Sequence, residues 1–255
     1  MSRKSPRESG APSDVPSDPP PSISVIIPTL NEAETIRDTL LATACLGFRE
    51  IIVVDAGSTD RTRDIVAETT SDLRRTGSAA VLLLTSMPGR AVQLNTGAQA
   101  AGGEVLLFLH ADTRLPSQAK ISIETALAGR PAVGGRFDVQ FDIPSGWGYV
   151  ISALMNLRSR LTRISTGDQA LFVRKAVFEE VGGFPEIPLM EDIEFSARLK
   201  RRGRIVALRD VVTTSYRRWR RRGPLRTITL MWILRFLYWA GVNPHRLARW
   251  YPAVR

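Results

Sequence analysis

The stretch EVLLFLHADTR, residues 104–114, constrains the fold of this chain more than any other. Residues 105–109 are apolar without a break, and the run stops at His110-Ala111-Asp112-Thr113. A short continuous apolar run reads as a strand covered on both faces, the kind found in a parallel sheet. In open α/β sheets, ligands bind beyond the carboxyl ends of such strands. Side chains at i and i+2 of an extended chain point the same way, so His110 and Asp112 can face one ion. The competing explanation is a polar turn after a core strand, and the rest of the chain must decide.

Three earlier runs repeat the arrangement. Residues 24–29 (SVIIPT), 50–54 (EIIVV) and 80–84 (AVLLL) read as strands. Helical patterns lie between them. The first opens at Asn31 as N-cap, with Glu34 three residues on, and runs to about residue 45. The second covers 61–69. The third opens at Gly89-Arg90 and runs through Ala101, with small residues suited to close packing on a sheet. A fourth covers 116–128, with proline near its start. This alternation predicts right-handed crossovers and an α/β fold with a doubly wound, mostly parallel, Rossmann-like sheet. Beyond residue 132 the pattern is less regular: strands are expected at 133–141, 170–173 and 204–208, and helices at 147–163 and 191–202.

A chain of 255 residues is long enough for one large domain with appendages. The single cysteine, Cys45, excludes an internal disulfide and fits a reducing, cytoplasmic compartment. Two histidines argue against a His-rich zinc site. A net charge of +10 points to anionic partners. Residues 1–22 have no apolar signal-peptide core and are rich in Pro and Ser, so a disordered tail is expected there. After the first strand stand Pro28-Thr29-Leu30-Asn31. That rules against the G-x-G-x-x-G of a dinucleotide fold. A P-loop and the Gly-rich loop of sugar-nucleotide pyrophosphorylases are also absent. At the end of the second strand, Asp60 reads as a helix cap. Asp55 sits at the strand end itself, where a carboxylate can accept hydrogen bonds from a base or ribose.

Taken together, SVIIPTLNEAE, VVDAGSTDRT, GRAVQLNTGAQAAGGEVLLFLHADT and GGFPEIPLMEDIEFSARLKRRGRI resemble the family 2 glycosyltransferases of the GT-A fold. The resemblance covers roughly residues 22–212. With LHADT in place of the usual D-x-D, the chain looks like a subgroup of small bacterial glycosyltransferase-like proteins. The resemblance implies that Pro28, Thr29, Asn31 and Glu32 line a nucleotide pocket and that Asp55 contacts the nucleoside. It implies that Arg90 and Asn95 lie near the nucleotide, and that Ala111 and Asp112 belong to the nucleotide-sugar site. Asp112 would hold a divalent metal, Mn²⁺ or Mg²⁺, against the donor diphosphate, with His110 as a second candidate ligand. Asp192 of the Glu191-Asp192 pair would be the catalytic base, and Asp168 and Gln169 would border the acceptor pocket.

The chemistry needs these residue types. A diphosphate leaving group is stabilised by a divalent ion held by one or two carboxylates and by the phosphates. The attacking hydroxyl loses its proton to a positioned carboxylate. In-line attack inverts the anomeric centre. Two positions depart from the family pattern. Ala56 stands where a second acid is common after strand two, which puts a uridine preference in doubt. His110 stands for the first acid of D-x-D, and a metal ligand, a phosphate contact and a structural role all stay open for it. Glu191 and Asp192 also suit the first turn of a helix, where acids offset its dipole.

Residues 216–222, YRRWRRR, gather five arginines around Trp219. The following segment, 225–242, is apolar but interrupted by Arg226 and Arg235. Its apolar core falls short of the roughly 20 residues of a membrane span. It reads either as an interfacial anchor on anionic lipid or as a helix packed on the domain. No nucleic-acid partner is expected, since no recognised module is present. The expected organisation is a tail (1–22), a GT-A domain (23–212) and a basic, apolar C-terminal segment (213–255). The expected function is sugar transfer from a nucleotide donor to an acceptor hydroxyl, with a lipid or isoprenoid acceptor in view, at the inner face of the cell membrane. The alternatives are a catalytically silent GT-A scaffold that binds a partner or membrane, and a nucleotidyltransferase on the related fold.

Overall fold

The computed structural model describes residues 19–128, 132–143 and 146–251. The expected tail lies outside the described residues except for its last four. Ser22 is already tied to the sheet: its N–H donates to Glu104 Oε2 at 3.0 Å and its carbonyl accepts from Val105 N–H.

The first half alternates as the apolar runs dictate: β1 (Ile23–Thr29), α1 (Ile36–Ala44), β2 (Glu50–Asp55), α2 (Thr62–Thr76), β3 (Val81–Thr85), α3 (Arg90–Ala100) and β4 (Val105–Phe108). There follow β5 (Thr113–Arg114), α4 (Ala119–Leu127), β6 (Ala132–Phe141), α5 (Gly146–Thr162), a 3₁₀ turn at Gly167–Gln169, β7 (Phe172–Arg174) and α6 (Lys175–Val181). The chain ends with α7 (Glu191–Leu199), β8 (Arg204–Thr214), α8 (Arg217–Arg222), α9 (Pro224–Trp239) and α10 (Pro244–Ala248). One sheet runs β3-β2-β1-β4-β7-β6-β8-β5. The β1–β2, β1–β4, β2–β3 and β6–β8 pairs are parallel; β7 runs antiparallel to β4 and β6, and β5 to β8.

The unbroken apolar runs follow from helices on both faces. Val25 and Ile27 enter one core cluster with Leu40, Val66 and Phe137, while Ile26 enters the other with Leu94, Phe178 and Phe195. Full burial of each such side chain stabilises the fold by about 1.5–3 kcal/mol. Gly97 lets α3 lie close to the sheet: a Cβ there would stand 2.5 Å from Ile26 Cγ2 and 3.2 Å from Val54 Cγ2.

Several boundaries differ from expectation. Helix α1 starts at Ile36, not just after Asn31. Asn31 instead takes a left-handed conformation, φ 56°, which asparagine tolerates. Its Oδ1 accepts from Thr59 N–H at 2.9 Å, joining the loops after β1 and β2. Strand β8 continues to Thr214 because β6 and β5 pair with it on either side. Asp60 caps α2 as expected, accepting from Thr62 N–H at 2.9 Å and from Ala33 N–H at 3.2 Å.

The C-terminal helices pack on the domain along one stripe. Leu234 and Leu247 are buried against Met190, and Tyr216 is buried against Phe141 with Trp219 partly buried beside it. The outer face of α9 stays exposed at Leu225, Trp232, Ile233, Phe236 and Trp239. Helix α5 also exposes Trp147, Tyr149, Val150, Leu154, Leu157 and Leu161, a second apolar face with no counterpart in the sequence expectations. Among the described residues no helix is long and apolar enough to cross a membrane.

Candidate active site

Parallel pairing brings the carboxyl ends of β1, β2 and β4 to one edge of the sheet. Pro28 and Thr29 end β1, and Asn31 and Glu32 follow in the loop. Asp55 ends β2 fully buried. Its Oδ2 accepts from the N–H groups of Gly57 (3.0 Å) and Ser58 (2.9 Å); its Oδ1 accepts from the hydroxyls of Ser58 and Thr29. This carboxylate therefore shapes its own turn, where a nucleoside contact was expected. Ala56 is buried as well. Gln93, which the sequence did not single out, donates at 2.8 Å to the carbonyls of both Thr29 and Val54 and so staples the two strand ends.

Glu32 and Asp112 meet a partner from the far end of the chain. Arg217 Nη2 lies 3.0 Å from Glu32 Oε2 and 3.8 Å from Asp112 Oδ2, and its Nη1 lies 3.6 Å from Glu34. Burial works against the charge on Arg217, but Glu32, Asp112 and Glu34 outweigh it and raise its pKa. Ala111 is buried, and its carbonyl accepts from Thr39 Oγ1 at 2.7 Å.

His110 faces elsewhere. Its Nδ1 lies 3.1 Å from Asp168 Oδ1, and its Nε2 meets Arg90 Nη2. Both ring nitrogens are engaged, so the expectation that His110 and Asp112 face one ion is not met. Arg90 Nε stands 3.5 Å from Glu191 Oε1 without making a hydrogen bond. Gly167 sits against both Arg90 and His110, where any Cβ would collide with the guanidinium. The Gly167 N–H donates to Asp192 Oδ2 at 3.0 Å, and the Ile193 N–H to Asp192 Oδ1 at 2.8 Å. Arg90, His110, Ser165, Gly167 and Asp192 line a small cavity of about 20 Å³, room for about one water. Glu191 is buried; that burial first, then neighbouring Asp192, pushes its carboxyl above the ordinary range.

Two expected site residues stand outside this group. Asn95 accepts from Phe184 N–H at 2.9 Å and donates to Phe184 carbonyl at 2.8 Å, so its amide fixes a loop and does not reach toward the strand ends. Gln169 is fully buried and closes a capping box with Thr166; Asp168 beside it remains partly exposed. Arg217 also belongs to this region and was missed.

A divalent ion at this edge would have Asp112 as its carboxylate. Among the described residues no group of three or more His, Cys, Asp or Glu side chains is arranged to hold an ion. A donor-bridged ion needs only one or two protein carboxylates, its other ligands being phosphates and water. Asp112, partly exposed and only loosely paired at 3.8 Å, fits that requirement.

The glycosyl transferase family 2 model matches residues 24–182, more than half of the chain. The chain belongs to this family. Glycosyltransferase AglE of Haloferax volcanii is 30% identical over 176 residues, 65% of this chain and 56% of that protein. An undecaprenyl-phosphate 4-deoxy-4-formamido-L-arabinose transferase of Pectobacterium carotovorum is 35% identical over 118 residues, 44% of this chain and 36% of that protein. The chain spans about half the length of the curated relatives it matches first. Among solved structures, a mannosyltransferase of Pyrobaculum calidifontis in complex with GDP-Man and Mn²⁺ superposes with a TM-score of 0.63 at 25% identity, over 88% of this chain and 64% of that one. This family 2 member thus has the GT-A fold, with helices at its C-terminus.

Proposed function

We propose that this chain is an inverting glycosyltransferase that moves a sugar from a nucleoside-diphosphate donor to an acceptor hydroxyl. The observation that carries this reading is the pair of separately held carboxylates at one sheet edge. Asp112 sits beyond β4, and Asp192 is gripped by the backbone N–H groups of Gly167 and Ile193. The loop Pro28, Thr29, Asn31 and Glu32, with Arg90, forms the donor side; Asp168 borders the acceptor side.

Two backbone N–H bonds fix the orientation of Asp192. As the acceptor oxygen bonds to the anomeric carbon and the bond to the diphosphate breaks, the hydroxyl proton passes to Asp192. When bound, Mn²⁺ or Mg²⁺ supplies charge neutralisation for the departing diphosphate. Asp112 with the donor phosphates would hold it, and the Mn²⁺ complex of the Pyrobaculum relative supports that choice. His110, clasped between Arg90 and Asp168, positions those two side chains.

The exposed apolar faces of α5 and α9, beside the arginines of α8, support seating on an anionic membrane surface at the inner face of the cell membrane. Residues 213–255 would then be the seating segment of a catalytic unit ending near residue 212. The undecaprenyl-phosphate transferase relative supports a lipid-linked acceptor.

The test is nucleoside diphosphate release from a panel of UDP-, GDP-, dTDP- and CDP-sugars, with Mn²⁺, Mg²⁺ or chelator. Asp192→Asn keeps an oxygen for the Gly167 N–H but loses the base. Turnover should fall by about 10²–10⁴ while donor binding persists. Undiminished turnover in the variant, or no release from any donor, refutes the reading.

A further inference from the structure

Helix α7 carries Asp192 in its first turn, and the residue that starts this helix is an unusual one. Met190 is the N-cap, with φ 72° and ψ 15°. Helix starts favour Ser, Thr, Asp or Asn in an extended conformation, whose side-chain oxygen accepts from an N–H of the first turn. Methionine brings no such oxygen, and the left-handed region crowds its Cβ against the following carbonyl. Among the described residues, four non-glycines lie in this region, and each stands at the candidate site. Asn31 belongs to the donor loop, Arg163 is two residues before Ser165, Ala170 is three after Gly167, and Met190 is two before Asp192. Strained backbone of this kind persists only where the surrounding packing over-determines it.

The packing that holds Met190 comes from the C-terminal segment. Met190 is 3% exposed and clusters with Leu234 of α9 and Leu247 of α10, both fully buried. Leu230, Leu237 and Tyr238 of α9 and Ile193 of α7 close around them. A further tie lies one turn on, where the Tyr238 hydroxyl donates to Glu194 Oε2 at 3.1 Å. The Glu194 N–H donates to the Met190 carbonyl at 3.0 Å, which closes the first turn of α7. On the other side of the helix, Asp192 accepts from the Gly167 N–H, and the Ser196 hydroxyl bonds both the N–H and the carbonyl of Ser165. The start of α7 is therefore gripped between the Gly167 turn and helices α9 and α10.

We propose that Met190 is a positioning residue for Asp192: by clamping its side chain, α9 and α10 hold the left-handed turn that aims the carboxylate at the acceptor hydroxyl. This rests on Asp192 being the base of the transferase reading. Loss of the side chain releases the turn. The backbone then leaves the left-handed region, Glu191 and Asp192 move together, and Asp192 Oδ2 withdraws from the Gly167 N–H. The donor loop and Asp112 follow β1 and β4 and do not depend on Met190. The C-terminal segment thus has a part in catalysis besides any seating on a membrane.

The experiment compares the wild-type full chain with Met190→Ala, Met190→Gly and Met190→Leu. It measures kcat and donor KM with the sugar nucleotide that the wild type turns over, and amide hydrogen exchange at Gly167 and Ile193. Alanine keeps the left-handed strain and loses the anchor. In M190A kcat should fall about tenfold or more with donor KM within about twofold, because only the base is displaced. The two amides should exchange about tenfold faster, since their acceptor is Asp192. Glycine has no Cβ to strain, so M190G should recover part of the loss. Leucine refills the clamp at similar volume, so M190L should recover most of it. A plain packing defect would instead rank the variants by side-chain size, with glycine the worst. Glycine below alanine therefore overturns the proposal, as do an unchanged kcat, unchanged exchange, or a loss carried by KM. If M190A does not fold by circular dichroism, Leu234→Val carries the test. It trims the clamp from the α9 side by one methylene and should lower kcat and speed Gly167 exchange about two- to threefold; no change in either overturns the proposal. Exchange needs no turnover. A wild type that releases no nucleotide while Gly167 exchange responds to M190A fails the transferase reading alone. A chain that turns over equally well with Met190 or Ala fails the positioning role alone.

Discussion

Arg217 is joined to Glu32 across 185 residues of chain, and removing that tie has a calculable cost. The Arg217 Nη2–Glu32 Oε2 contact is 3.0 Å, with the two side chains 24% and 22% exposed. Fully exposed ion pairs are worth about 0.2–1 kcal/mol and hydrogen bonds to charged groups about 1.5–3 kcal/mol. A pair three-quarters buried belongs between them, at about 1–2 kcal/mol. Glu34 adds little, being 79% exposed in its contact. Asp112, at 3.8 Å without a hydrogen bond, adds a Coulombic share but no directional one. Arg217→Gln should therefore cost about 2–3 kcal/mol, since it also leaves Glu32 and Asp112 partly buried without their cation. The assay is urea unfolding of the wild type, R217Q, E32Q and the double variant at low ionic strength. The cycle should return a coupling of about 1–2 kcal/mol. In 1 M NaCl the coupling should shrink, less than for a surface pair. A coupling below about 0.3 kcal/mol would mean that the contact does no net work, and that the loop after β1 is not held by the C-terminal segment.

Gly97→Ala should destabilise the fold by about 1–2 kcal/mol in urea, overpacking against Ile26 and Val54 outweighing the better helix propensity of alanine; a stabilised variant would mean that α3 can lift from the sheet at no cost. The raised Glu191 pKa makes the folded chain hold a proton that the unfolded chain releases near pH 4.5, so this group's contribution is intact below that pH and lost as pH rises through the folded value. Glu191→Gln should remove that loss, and a wild-type-minus-variant stability difference that stays flat from pH 4 upward contradicts the assignment. Replacing Trp232 and Trp239 by serine should reduce flotation with anionic vesicles without lowering the melting temperature, because both are exposed; unchanged flotation removes α9 from the membrane-facing surface.

What the sequence disclosed and what it withheld divide along contact distance. Strands β1, β2 and β4 were legible because each is buried on both faces, so burial writes a continuous apolar run into a local window. Asp60 was legible as a cap because its partner, Thr62, is two residues away. Asn31 was misread as a cap because the spacing Asn31–Glu34 satisfies a local pattern. In the fold Asn31 answers Thr59, and Glu34 lies beside Arg217. The end of β8, Val211-Val212-Thr213-Thr214, is set off from residues 204–208 by Arg209-Asp210, which hides its continuity; Thr213 and Thr214 pair with β6 on one side and with Arg114 and Thr113 on the other.

The same division explains the candidate site. Asp112 and Asp192 could be named as candidates because the sequence marks the end of β4 and the start of α7. His110 could not be resolved from its neighbours, since Arg90 arrives from α3 and Asp168 from the turn before β7. Asp55 and Asn95 show the converse. Their residue types suit a ligand, yet the fold gives both side chains internal partners. A polar residue at a strand end identifies a ligand group only when its hydrogen bonds are not already satisfied, and that depends on tertiary contacts. Arg158 and Arg235 differ from both: each holds a buried nitrogen without a hydrogen-bond partner, whereas the carboxylate oxygens of Asp55 and the amide of Asn95 are bonded within the fold.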